Sequence, residues 1–458
     1  MTSVRITAMV GLILGLTGAS ASYGQAATAP APPTSAQCQV TYSLACYSPK
    51  QIQKAYDLGQ LYRRGLNGKG RTIVIVDPFG SPTIGDDLRV FDKAFGLPAP
   101  PALRVLQPVG PVPPFNPLNV AMASKAGETT EDVEWAHAIA PGANILLVLT
   151  PTAESGTGGG FPQYMAAENY VITHRLGDVI SQSFSLPEPS FGATAVVRRL
   201  RYAYVNAARN HITALAAAND QGVSGFLPSK TLGFYTHPVV WWPASDPLVT
   251  GVGGTHLTLS TSGQRTSPDT VWNDTFNPAV TENTFKVPPP FPWAGGGGVS
   301  TIFGRPSYQN GVRRVVGRDR GVPDVSLTGS LSDGILVFQT VQGKPMWIPT
   351  GGTSGATPMM AGVVAIADQL AKRRLGLINP ALYQLERRHA PGIVDITRGN
   401  NSVAFYLQTP KKATPVPGYR ARRGYDLASG VGTINAARFV PELVRTADAL
   451  SLPPRKRR

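Results

Sequence analysis

The alternation of short, wholly apolar runs with helix-length segments constrains this chain more than any other feature. Thr72 to Asp77 (TIVIVD) is such a run, ending in Pro78-Phe79-Gly80, and residues 84–96 (IGDDLRVFDKAFG) then follow helical spacing closed by Gly96. Asn144 to Leu149 predicts another strand, followed after a Gly-rich loop by a helix around 162–175. Residues 178–184 predict a strand, 191–210 a helix and 212–218 a strand. Strands that lack polar alternation are buried on both faces, so the pattern predicts an α/β fold, a parallel sheet with helices on both faces. Such a sheet gathers functional groups at the carboxyl ends of its strands. No internal shift in composition marks a second domain, and residues 276–298 read as a long loop.

Composition narrows the classes further. Hydrophobic residues make up 42% of 458, enough for a sizeable core, so whole-chain disorder is excluded. The 49 glycines and 42 prolines follow no triplet or longer repeat. Lys and Arg number 42 against 27 Asp and Glu, a formal charge of +15. Carboxylates are scarce, which makes any cluster of them informative.

The first residues have the pattern of an export signal over 1–26. Arg5 precedes the apolar stretch Ala8 to Gly18, and small residues follow at Ala19-Ser20-Ala21 and Gly24-Gln25-Ala26. This predicts a secreted, periplasmic or extracellular protein with no membrane span once the signal is removed. Residues 27–44 read as an Ala/Pro-rich linker that includes the start of a Cys38–Cys46 loop. These are the only two cysteines, and in an oxidising compartment eight residues of separation suit a local disulfide; two free thiols are the alternative.

Two segments carry the chemistry. Glu128, Glu131, Asp132 and Glu134 place four carboxylates in seven residues. If 128–140 is helical, Glu128, Asp132, Trp135 and Ile139 fall within about 40° of one line, while Glu134 points away. Two readings stay open: acids favouring a helix N-terminus for dipole reasons, or a partly buried carboxylate dyad with coupled titration. The second segment is Thr350-Gly-Gly-Thr-Ser-Gly-Ala-Thr-Pro358, running into a helix that is apolar almost all round. Ser354 sits at its mouth, where a helix N-terminus and close backbone N–H groups would favour a developing oxyanion. The bland counterpart is a helix N-cap serine. The glycine turn, Pro358 and the buried helix together suggest a subtilisin-like nucleophile turn. None of the six histidines is a convincing base. His174, His237 and His256 each follow a threonine, only His256 doing so after paired glycines, in Gly-Gly-Thr-His-Leu, and the Glu128/Asp132 pair is the remaining candidate.

Over residues 45 to 445 the chain resembles the sedolisins, the serine-carboxyl peptidases. The resemblance rests on Ala55-Tyr56, Gly68-Lys69-Gly70, Ile73 to Pro82 and Phe95-Gly96-Leu97-Pro98. It continues through Glu128-x-x-x-Asp132 with Ala140-Pro141-Gly142-Ala143, and Ala218-Asn219-Asp220. Trp242-Pro243-Ala244-Ser245, Val252-Gly253-Gly254-Thr255, Gly296 to Ser300, Arg305 to Gln309, Arg320 to Val325 and the Ser354 turn complete it. The resemblance implies a subtilisin-like fold and a secreted serine peptidase acting on polypeptides through an acyl-enzyme. It implies Ser354 as nucleophile, Glu128 as general base with Asp132 behind it, and Asp220 in the oxyanion hole. Asp220 must then be protonated to donate, so an acidic working pH follows. Asp77 lies where the family often has a further acid, or is a simple strand-end turn.

The resemblance also implies one structural Ca²⁺. Its ligands are the carboxylates of Asp395 and Asp426 and the carbonyls of Ile396, Arg422 and Gly424, an all-oxygen shell. Arg422 replaces the glycine more usual there, and with Arg423 it puts positive charge beside a cation. Residues 45–450 are thus expected to form the peptidase domain, with 451–458 a basic tail, working as a monomer. The stretch between signal and peptidase region is too short for the folded prodomain of many sedolisins. Residues 178–188 and Gly295 to Ser300 are expected to line the substrate cleft. The basic charge and Arg455-Lys456-Arg457-Arg458 keep a non-catalytic surface-binding role open, yet no nucleic-acid motif appears and no nucleic acid is expected. A His-dependent subtilisin-type protease is the other alternative.

Overall fold

The computed structural model describes residues 29–228, 233–282, 286–406 and 413–451. The expected export signal and the basic tail beyond Ser451 lie outside the described residues. Strands are numbered within the central sheet: β1 (Thr72–Pro78), β2 (Leu103–Leu106), β3 (Asn144–Thr150), β4 (Val179–Gln182), β5 (Thr213–Ala217), β6 (Thr250–His256), β7 (Thr270–Val271) and β8 (Val325–Thr328). Their order is 7-6-5-4-1-3-2, with β8 also pairing β6. Every pairing is parallel except that of β7 with β6. The order reverses at β1, so the crevice beyond its carboxyl end is the topological switch point.

The two faces of β1 show why the strand is continuously apolar. Ile73 and Ile75 enter one core layer and Val74 and Val76 the other. On the first face lie α2 (Val120–Ile139), α5 (Thr353–Ala371) and α6 (Ala436–Ser451), with α1 (Ile84–Phe95) beside them. On the second lie α3 (Phe161–Thr173) and α4 (Tyr202–Arg209). Gly362 lets α5 approach α2 closely, since a Cβ there would lie 2.8 Å from Ile139 Cβ. The buried pair Arg320–Asp324 anchors the entry to β8, with Nη1 to Oδ1 at 2.8 Å. Asp324 also accepts from the Gly251 N–H and the Tyr383 hydroxyl, both at 2.8 Å.

Several expected elements differ. The helix expected over 191–210 breaks into Thr194–Leu200 and α4, at the point where Arg201 reaches Asp246 with two hydrogen bonds of 2.9 Å. The 276–298 loop contains a short helix, Pro278–Thr281, capped by the Asn277 side chain. The stretch read as a linker holds a helix, Ser35–Tyr42, capped by Thr34. Cys38 and Cys46 form a disulfide that closes this helix onto the strand Ala45–Tyr47. That strand pairs with β9 (Asp333–Val341), which forms a hairpin with β10 (Lys344–Thr350). The Trp347 indole N–H, on β10, donates to the Pro30 carbonyl at 2.7 Å. Among the described residues no helix is long and apolar enough to cross a membrane.

Candidate active site

The acid cluster lies in the interior of a helix. Asn119 caps α2 by accepting from the Ala121 and Met122 N–H groups, nine residues before the first acid. The dipole reading of the cluster is therefore overturned. All of Glu128, Glu131, Asp132 and Glu134 are buried. Glu134 does point elsewhere, accepting the Phe338 N–H at 3.0 Å.

Ser354 lies in the first turn of α5, after Gly352 at φ +109°. A side chain at Gly352 would be strained, and its Cβ would sit 2.8 Å from Asp220 Oδ2. The Ser354 side chain stands close enough to the Glu128 carboxyl to favour its ionised form. Asp132 accepts from the Ser183 hydroxyl at 2.7 Å, and Ser183 immediately follows β4. Asp220, just beyond β5, accepts the Thr353 N–H and the Thr353 hydroxyl on Oδ1, both at 2.8 Å. Its second oxygen is left toward the glycine turn. Asp77, the penultimate residue of β1, is buried beside Thr129 of α2. Serine, base candidate and oxyanion candidate thus converge where the strand ends meet the mouth of α5. His256 is elsewhere, with Nδ1 2.9 Å from Asp333 Oδ2 and 3.2 Å from Ser330 Oγ.

Burial sets the electrostatics. It raises Glu128, against the opposing pull of Lys125 and then of Ser354. Burial, then repulsion from Glu128, pushes Asp77 up to about 7. Asp132 is raised well above the usual carboxylate range by burial, then by Asp77 and Glu128. Glu131, which accepts the Thr350 hydroxyl at 3.0 Å, is raised well above it by burial and then by Glu128. Asp220 rises to about 6, chiefly through burial, although its bonds from Thr353 oppose the rise. Such groups share protons and titrate as a set. Glu128 Oε1, Asp132 Oδ1 and Asp77 Oδ2 are buried without a hydrogen-bond partner, and such burial favours the protonated carboxyl group.

The segments expected to line the cleft are tied together by Glu188. Its carboxylate accepts from the Ser300 hydroxyl at 2.5 Å, and from the Thr301 N–H and hydroxyl at 2.7 and 2.8 Å. Gly296 packs on the turn after β5, where a Cβ would come within 2.1 Å of the Ala218 carbonyl oxygen. Sequence reasoning missed Lys125, Glu154 and Tyr164. Lys125 Nζ lies 2.6 Å from Glu154 Oε1, and the Tyr164 hydroxyl donates to Glu154 Oε2 at 2.6 Å. Spacing held a signal, because Lys125 precedes Glu128 by three residues on one helix face.

Asp395 and the 422–426 loop are brought together. The Gly424 N–H donates to Asp395 Oδ2 and the Arg422 N–H to Asp426 Oδ2, each at 2.9 Å. Asp426 Oδ1 accepts the Ala428 and Ser429 N–H groups, both at 2.9 Å. The carbonyls of Ile396, Arg422 and Gly424 accept no backbone hydrogen bond among the described residues, so this all-oxygen set fits a hard cation. No group of three or more His, Cys, Asp or Glu placed to hold a metal occurs among the described residues.

Fold and site define a subtilisin-like α/β protein in which carboxyl groups, not a histidine, surround a serine at a helix mouth. No protein-family model matches the chain. It is 31% identical over 414 residues to kumamolisin of Bacillus sp. (strain MN-32), covering 88% of this chain and 64% of that protein. It is 28% identical over 278 residues to sedolisin of Pseudomonas sp. (strain 101), covering 60% of this chain and 42% of that one. Among solved structures, Pseudomonas sedolisin, a serine-carboxyl proteinase complexed with two molecules of pseudo-iodotyrostatin, superposes with a TM-score of 0.68. That match is 23% identical and covers 88% of this chain and 99% of the other. The chain is similar in sequence to these sedolisins and shares the fold of the solved one; it spans less than two thirds of the length of these curated relatives.

Proposed function

We propose that the chain is a serine-carboxyl peptidase that hydrolyses peptide bonds of polypeptides at acidic pH. The observation that carries this is the juxtaposition of the Ser354 side chain and the Glu128 carboxyl at the mouth of α5, with Asp220 held beside the same turn. Glu128 takes the Ser354 proton as Oγ attacks the scissile carbonyl. A desolvated carboxylate backed by Asp132 is basic enough for that role. The tetrahedral oxyanion is met by the Ser354 backbone N–H and by a protonated Asp220, whose Oδ1 is already engaged by Thr353. Collapse expels the amine, which takes its proton from Glu128, and leaves an acyl-enzyme. Water activated by Glu128 then hydrolyses the ester.

Secretion fits the disulfide, which persists in oxidising compartments. The Asp395/Asp426 site is proposed to hold one calcium ion, which would fix the C-terminal loops rather than take part in the reaction. The test is cleavage of a denatured protein across a pH series, with wild type beside Ser354→Ala. Wild type should turn over best below pH 6, and the variant should lose on the order of 10⁴-fold or more in kcat. Retained activity in Ser354→Ala removes the assigned nucleophile. Turnover at pH 8 equal to that at pH 4 removes the acidic mechanism.

A further inference from the structure

α2 carries a cation as well as acids into the site. Lys125 lies three residues before Glu128, four before Thr129 and seven before Asp132, so all four share one face. Glu154, in the loop after β3, holds the Lys125 ammonium at 2.6 Å. Tyr164 of α3 holds Glu154 in turn, by its hydroxyl on Oε2 and by accepting the Glu154 N–H at 3.1 Å. The Gly160 turn closes this loop so tightly that a Cβ there would lie 2.4 Å from the Ala153 carbonyl oxygen.

We propose that Lys125 is an electrostatic positioning residue, held by Glu154, that keeps Glu128 ionised and able to act as base at acidic pH. This rests on the peptidase reading above. The groups facing Glu128 are almost all acidic or neutral: Glu131 and Asp132 on its own helix, Asp77 from β1, Glu154 after β3, Asp220 after β5 and Ser354 on α5. Among the described residues, Lys125 is the one cation acting on Glu128 and Asp77. Burial works against its charge, but Glu154, then Glu128 and Asp77, keep it protonated. Burial would likewise raise Glu154, yet Lys125 and Tyr164 bring it below its ordinary value. A positive charge beside Glu128 favours its ionised form, and a negative charge disfavours it. Lys125 and Glu154 therefore push the base in opposite directions.

The experiment compares the acidic limb of kcat/KM against pH in wild type, Lys125→Met, Lys125→Arg and Glu154→Gln. Removing the cation should move the limb to higher pH, with loss on the order of tenfold at pH 4 that largely recovers near pH 6. Lys125→Arg should restore the wild-type limb. Glu154→Gln should move it to lower pH, because the ammonium remains while the opposing carboxylate is gone. Damage to folding alone would lower activity in both variants without opposite shifts, so Glu154→Gln keeps the proposal open to refutation if Lys125→Met does not fold. Limbs that coincide with wild type, or that move the same way, overturn it. The peptidase reading fails separately, through an inactive wild type or an active Ser354→Ala, and this proposal falls with it.

Discussion

Replacing Asp220 with asparagine should detach activity from one limb of its pH dependence. Asp220 Oδ1 already accepts two bonds from Thr353, and the amide oxygen introduced by Asp220→Asn would accept the same two. The amide nitrogen would replace Oδ2, on the side of the glycine turn, and donates at every pH. On the proposed reading the wild-type donor is the carboxylic acid, whose pKa is raised to about 6 by burial. At pH 5 about nine-tenths of molecules are protonated there, and at pH 7 about one-tenth, so activity should fall roughly tenfold between them. Asp220→Asn should remove that fall, leaving kcat/KM flat on the alkaline side.

Stability supplies an independent reading of the same group. Its folded pKa lies above the ordinary 3.8, so the folded state binds the proton more tightly than the unfolded state does. Stability is then full below pH 4 and declines as pH rises toward 6, by about 3 kcal/mol in all. Asp220→Asn should remove this part of the decline. Urea midpoints at pH 4, 5, 6 and 7 measure it, beside kcat/KM on a chromogenic peptide. An unchanged alkaline limb in Asp220→Asn would refute the assignment of Asp220 as the titrating donor.

Two further outcomes follow from the same geometry. Arg320→Met leaves the Asp324 carboxylate buried without its counter-ion and should cost about 3–5 kcal/mol; an unchanged denaturant midpoint would contradict it. If the Asp395/Asp426 loops hold calcium, EGTA should lower the unfolding temperature, by the equivalent of about 3 kcal/mol from a state with calcium at a hundred times its Kd. Asp426→Ala should abolish that sensitivity, and an EGTA effect of equal size in the variant would place the ion elsewhere.

The parallel sheet was legible because β1 and β3 are apolar on both faces, a pattern few other environments tolerate. Ser354 was legible because a glycine turn feeding an all-apolar helix is uncommon in local sequence. The start of α2 was not. Residues 120–127 (VAMASKAG) show little apolar periodicity, and the helix begins there because Asn119 caps it. Beginning the helix at Glu128 hid Lys125 from the stripe it belongs to. Its partner Glu154 is 29 residues away on another element, and the Thr353–Asp220 contact spans 133 residues. Local pattern specifies elements, but such pairings exist only after the sheet order has been set.

The close contact between Gly362 and Ile139 reaches beyond packing. α2 carries Glu128 and α5 carries Ser354, so the spacing of these two rods is the tolerance to which the proposed nucleophile and base are machined. Gly362 lies eight residues along α5 from the serine, about 12 Å at helical rise. It touches neither substrate nor reacting atom, yet a methyl group there would act as a shim wedged between the rods. The chain would keep its fold while the gap between Ser354 and Glu128 went out of true. A residue silent in the proposed chemistry would thus be tied to it, and a side chain at such a core position would be felt first as lost turnover.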